Sequence, residues 1–349
     1  MNRSFIVYLS AFCVPLLAGG CSDSSCISDM DTPVPLQPSF STVSGSATRS
    51  IVSAIGTASG EVNHIGVYLT LTDGHTAYAA PSSATYTIFT TSNGTTWTGA
   101  NPVNLRTEQA RLYAWYPADG SVVPTESSST RTVPISLPAA QTFDGASTTA
   151  CSQTDYLYGS ASNTAGDATA ITANRNSASP DIYLQHALTQ LVFTIEYKAD
   201  RVPDSEYDWV KSISLTGPFH SGTGTMQLND GTLTFPASSS ATLAFSATGN
   251  LQLPGNIGTP QRVAYGLAAP KAATTETVTL ALVLGKQNIS TNDRTLTTTT
   301  AFNVEWQKGV RYTYNLLLGK NDITLKAVTI QGWTEATSGD PTVVPPLIE

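Results

Sequence analysis

Apolar residues recur at every second position over short stretches of this chain, and turn residues close each stretch. Val278, Leu280, Leu282 and Leu284 fall at every second position, as do Tyr312, Tyr314, Leu316 and Leu318. Side chains of an extended chain point to opposite faces in turn, so this spacing predicts strands with a buried face. The same rhythm runs in part through Val62, Ile65, Val67, Leu69 and Leu71, then through Leu112, Ala114 and Tyr116, then Val133, Ile135 and Leu137. Further along it returns at Ile182 and Leu184, at Leu191, Phe193 and Ile195, and at Val210, Ile213 and Leu215. Asp73-Gly74, Asn93-Gly94 and Asp230-Gly231 fall between such runs, and these dipeptides accept the positive φ that tight hairpins need. No segment keeps a helical period over three turns. The pattern predicts an all-β chain of two antiparallel β-sandwiches in series, 50–178 and 179–349, divided in the polar stretch Gly159–Pro180.

Composition agrees with strands and bounds the function. The sequence has 349 residues, 40% of them hydrophobic and only 12% charged, which suits two packed cores. Its 17 basic and 25 acidic residues leave a net charge of -8 without a basic cluster, which excludes nucleic acid as a partner. A second apolar run of the ~20 residues needed to span a bilayer is missing.

The N-terminus reads as an export signal. Arg3 is followed by an apolar stretch from Phe5 to Leu17, and Ala18, Gly19 and Gly20 lead into Cys21. A Cys directly after small residues resembles the lipobox of bacterial lipoproteins, although the Leu lies four places before it rather than three. Residues 1–20 are thus expected to be a signal peptide and Cys21 to be acylated, which anchors the precursor. Cys13 lies in the signal, so Cys26 and Cys151 are the remaining pair. Cys151 reads as a lone thiol rather than a disulfide partner.

Residues 21–49 read as a tether rich in Ser, Asp, Thr and Pro, with a hint of a strand at Phe40 and Val43. Arg49, before Ser50, is the first basic residue after Arg3. Read alone, it is a solvated charge at the head of a strand, although a lone Arg among small polar residues is also open to proteolysis. The search for chemistry yields little. His64, His75, His186 and His220 lack metal-ligand spacing, and no C-x-x-C, H-E-x-x-H or G-x-S-x-G run occurs. His186 reads as a buried structural residue, and Asp155 as an acid without a partner carboxylate. The five Trp residues read as packing before they read as a sugar platform. The expectation is a protein that is not an enzyme and binds neither metal nor cofactor.

Several stretches, taken in their order, resemble the fimbrillins of the Bacteroidales, the type V pilins. These are Ala110-Arg-Leu-Tyr-Ala-Trp-Tyr-Pro117, Asp155-Tyr-Leu-Tyr-Gly159, and Leu184-Gln-His-Ala-Leu188 running into Leu191-Val-Phe-Thr-Ile195. Trp306-Gln-Lys-Gly-Val-Arg-Tyr-Thr-Tyr314 followed by Ile330-Gln-Gly-Trp333 is the most specific. The resemblance implies Greek-key, transthyretin-like domains and a fimbrial subunit on the outer membrane and cell surface. It also implies an assembly route: an Arg-specific protease removes the N-terminal segment with its first strand, and another subunit's C-terminal strand fills the groove.

Carried onto this chain, Arg49-Ser50 becomes the cleavage site and Phe40 and Val43 belong to the removable strand. The donor comes from Val343 and Val344, or from Leu325, Val328 and Ile330. The partners implied are other pilin subunits, the lipid at Cys21 and a host or bacterial surface ligand. Pro341, Pro345 and Pro346 depart from a good donor, because proline gives no ladder amide. The rival reading is an outer-membrane lipoprotein that acts as a pilus anchor or a glycan-binding module and keeps its first strand.

Overall fold

The computed structural model describes residues 32–43, 55–57, 61–80, 84–120, 122–127, 130–143, 152–201, 207–236, 241–253, 258, 260–273, 277–289, 291–298, 300–333 and 342–344. Cys21, Cys26, Arg49, Ser50 and Cys151 lie outside the described residues. Among the described residues every regular element is a strand, and residues 33–349 form one compact unit.

The first large sheet is centred on Ala110–Tyr116, which pairs antiparallel with His64–Leu71, Leu157–Ser160 and Ile171–Ala173. It continues outward through Tyr86–Thr91 and Trp97–Gly99 on one side. On the other side come Asp181–His186 and finally Ser39–Thr42 at the edge. The central strands are apolar on both faces because both faces are covered. Val67, Leu69 and Leu112 belong to one buried cluster, while Tyr68, Tyr113 and Trp115 belong to another. That second cluster packs against Val133, Ile135 and Met226 of a four-stranded sheet built on Thr130–Leu137 and Gly222–Gln227.

A second pair of sheets follows. Thr189–Tyr197 and Val310–Leu318 lie at the heart of one, and Trp209–Gly217 lies between Ala241–Gln252 and Thr279–Gly285 in the other. In Val310–Leu318 the buried residues are Tyr312, Tyr314, Leu316 and Leu318, the face that alternation selects. They share one cluster with Phe193, Phe245, Leu215 and Leu282.

Pairing crosses residue 178/179 in both directions. Ala140–Phe143 runs parallel to Ala241–Gln252 in the second pair of sheets, while Gly222–Gln227 joins Thr130–Leu137 in the first. Asp181–His186 also lies in the first sheet. Among the described strands most pairs are antiparallel, and three are parallel: Ser39–Thr42 with Asp181–His186, Ala140–Phe143 with Ala241–Gln252, and Thr189–Tyr197 with Val310–Leu318.

At the seam, Asp155 Oδ2 lies 2.9 Å from His186 Nδ1, and both side chains are buried. The His186 ring stacks on Trp333 at 4.0 Å between centroids. His186 is thus a packed, hydrogen-bonded residue, and the partner of Asp155 is a histidine. Burial first, and the Asp155 charge second, push the Tyr116 hydroxyl up from its usual range.

The hairpin turn at Asp230-Gly231 supplies a sharp test of packing. Gly231 has φ +72, and a Cβ there would meet the Tyr158 ring at 2.2 Å. A left-handed residue costs about 1–2 kcal/mol and overpacking about 1–3 kcal/mol. Gly231→Ala is expected to lower stability by roughly 2–5 kcal/mol on those two grounds. Urea unfolding followed by Trp fluorescence checks this, and an unchanged midpoint would mean that the turn and Tyr158 are not packed as described.

Candidate functional site: the seat of the first strand

Three prolines punctuate the segment that precedes Val43, and the backbone bonds fall between them. Val34–Pro35 pairs antiparallel with Asn104–Leu105. The Leu36 amide then donates to Val103 O at 2.8 Å and the Gln37 amide to Ala178 O at 2.9 Å. Past Pro38, the Ser39 amide donates to Pro180 O at 3.1 Å, and Ser39–Thr42 runs parallel to Asp181–Leu184. The Ser39 hydroxyl also donates to the Asp181 carboxylate. Pro33, Pro35 and Pro38 have no amide hydrogen, so a proline-rich stretch can still be held as an edge strand.

Burial along the segment alternates: Leu36, Pro38 and Phe40 are buried, while Pro35, Gln37, Ser39 and Ser41 are exposed. Phe40 is the main anchor. Its ring lies 4.7 Å from Trp97, edge on, and 5.7 Å from Phe89. Leu36 and Phe40 belong to the cluster of Val67, Leu105, Leu112 and Ile182. Val43 is half-buried, and its amide donates to Leu184 O at 3.1 Å. Leu36 and Pro38 were the members hidden in the sequence. The Leu-x-Pro-x-Phe alternation was there to be seen, but proline reads as a strand breaker.

The strand sits at the edge of its sheet, with Asp181–His186 as its ladder neighbour. Its contribution is local. Fully burying a Leu or Phe contributes about 1.5–3 kcal/mol each. Removing the segment would expose a groove floored by Ile182, Phe89 and Trp97, together with the backbone acceptors of Val103, Ala178 and Pro180.

The predicted donor residues lie at another edge. Ile323–Gly332, which carries Leu325, Val328 and Ile330, pairs antiparallel with Val310–Leu318 on one side and with Thr342–Val344 on the other. Leu325, Val328 and Ile330 are partly buried against the cluster of Phe193, Phe245 and Leu282. Val343 pairs with Thr329 and Val344 with Val328, at the outer edge of that sheet. These two groups therefore differ: one is an inner strand of a sheet and the other is a terminal edge. The seat of the first strand and the tail strand lie in different sheets.

An all-β protein with paired sheets and an N-terminal strand at a sheet edge belongs to a class with known solved members. A fimbrial protein from Bacteroides vulgatus superposes with a TM-score of 0.51 at 14% identity, over 86% of this chain and 99% of that one. A candidate cell adhesion protein from Bacteroides ovatus gives a TM-score of 0.54 at 15% identity, over 88% and 99%. At such identities the likeness is one of fold. No curated protein matches the sequence. The family model described as fimbrillin-like matches residues 48–333, most of the chain, and this protein belongs to that family.

Proposed function

We propose that this chain is a fimbrial subunit that reaches the cell surface as a lipoprotein acylated at Cys21. An Arg-specific protease cuts it between Arg49 and Ser50, and the processed chain polymerises by strand exchange. The observation that carries this reading is the edge strand upstream of Arg49, anchored by Leu36, Pro38 and Phe40. Cleavage after Arg49 would leave that strand held by non-covalent contacts alone. Its loss would open an apolar groove and unpaired backbone acceptors, which a strand from another subunit can satisfy by β-augmentation. The fimbrillin-like match from 48 to 333 supports the division, since both exchanging segments fall almost wholly outside it.

Of the two donor segments, Thr342–Val344 at the sheet edge is the better one. Donating Ile323–Gly332 would strip half-buried Leu325, Val328 and Ile330 from their own core. The test is the Arg49→Ala variant expressed in its native cells. The wild type is expected to give a ladder of heat-resistant multimers on a denaturing gel, and the variant a single band at precursor mass. A ladder of equal intensity from the variant would refute cleavage at Arg49 as the trigger.

A further inference from the structure

The prolines of the tail can be set against those of the segment it would replace. Written from Pro33, the seated segment reads Pro-Val-Pro-Leu-Gln-Pro-Ser-Phe-Ser41; written from Pro341, the tail reads Pro-Thr-Val-Val-Pro-Pro-Leu-Ile-Glu349. Aligned in the same direction, Pro341 falls at Pro33 and Pro346 at the buried Pro38. Val344 then falls at the buried Leu36, and Ile348 at the buried Phe40. We propose that the seat accepts residues 341–349 of a second copy of this chain in this one register, so that a single protein forms the polymer. The proposal rests on the strand-exchange reading above and adds its register and its partner.

The physical case is the period of two. Inward positions of the seat are Leu36, Pro38 and Phe40, and the tail supplies Val, Pro and Ile there. The amides at Leu36 and Ser39 bond Val103 O and Pro180 O; their counterparts, Val344 and Leu347, both carry an N–H. Glu349 falls at exposed Ser41 and keeps its charge in water. The register has two costs. Pro345 replaces Gln37, forgoing the bond to Ala178 O, and Leu347 replaces exposed Ser39.

Sliding the tail by one residue would also turn an apolar trio inward: Val343, Pro345 and Leu347. That register keeps the bond to Ala178 O through Val344 but places Pro346 at Ser39, losing the bond to Pro180 O, so each register forgoes one bond. It also leaves Ile348 exposed at Ser41 and sets Glu349 at half-buried Thr42. One slip turns every side chain to the other face, so the two registers make opposite predictions.

The test uses the purified full chain, digested with an Arg-specific endoprotease and read as heat-resistant multimers. Val344→Asp and Ile348→Asp are expected to abolish the ladder, while Val343→Asp and Leu347→Asp retain it. Melting of each undigested variant checks folding, and the pair at 347 and 348 lies outside the strand Thr342–Val344. The reverse pattern overturns this register in favour of the slipped one and leaves strand exchange standing. A ladder in all four variants, or in none, overturns the alternating seat while the wild-type ladder keeps the exchange reading intact. A wild type that stays monomeric after cleavage defeats both.

Discussion

Replacing Phe40 with Ala lowers the stability of the unprocessed chain and leaves that of the assembled, processed chain unchanged. The buried ring touches Trp97 and Phe89, and truncating a buried Phe costs roughly 3–5 kcal/mol where the site cannot collapse. Here the loss is capped, because Ser39–Thr42 is an edge strand and can detach without unfolding the sheet behind it. The expected signature is faster amide exchange at Leu36, Gln37 and Ser39, with protection of the Ala110–Tyr116 amides retained. If cleavage after Arg49 releases the strand, as proposed, Phe40 is no longer part of the assembled subunit, and its identity then has no effect. Hydrogen exchange on both forms checks this, and an equal loss in the assembled form would mean that the first strand is never removed.

Trp333→Ala produces the larger global loss. Trp333 is buried in the cluster that also holds Trp115, Tyr158 and Leu188. It stacks on His186 at 4.0 Å, and its amide donates to Gly309 O at 2.8 Å. His186 in turn is held by Asp155 across 2.9 Å. Segments around 155, 186, 309 and 333 are therefore tied together through Trp333 and the His186 ring stacked on it. A loss of about 3–5 kcal/mol is expected, seen as a lower urea midpoint in both precursor and processed chain. Trp333→Phe should recover part of it by keeping a ring on His186. A Trp333→Ala midpoint matching the wild type would show that the seam does not contribute to stability.

The two variants differ because Phe40 anchors a strand at a sheet edge and Trp333 sits where several segments pack together. Sequence reading separated them only in part. Alternation in Tyr312, Tyr314, Leu316 and Leu318 identified the buried face, and Gly74, Gly94 and Gly231 do take positive φ at the expected turns. What alternation does not encode is the neighbour of a strand. The pairing of Thr130–Leu137 with Gly222–Gln227 joins strands from either side of the expected division, and no local pattern announces it. The parallel pairing of Ser39–Thr42 is equally silent, since parallel partners lie far apart in sequence.

At the seat, Phe40 was legible but its companions were not. Val43, three residues on, falls on the opposite phase of a period of two and is only half-buried. Leu36 and Pro38 share the phase of Phe40, yet the prolines around them suggested a tether. The structure shows how such a strand is held: its donors are the amides between and after the prolines. The same property turns the prolines of the tail from an objection into a match. Arg49 owes its reading to family resemblance, because a lone Arg carries no geometric signature of cleavage.

The most direct test of the account is the N-terminal sequence and intact mass of the protein recovered from its native cell surface. Processing at Arg49 followed by strand exchange gives a chain beginning at Ser50, without acyl mass, carried in multimers that survive heating in detergent. A chain beginning at acylated Cys21 and recovered as a monomer would contradict it, leaving a lipoprotein that keeps its first strand in place.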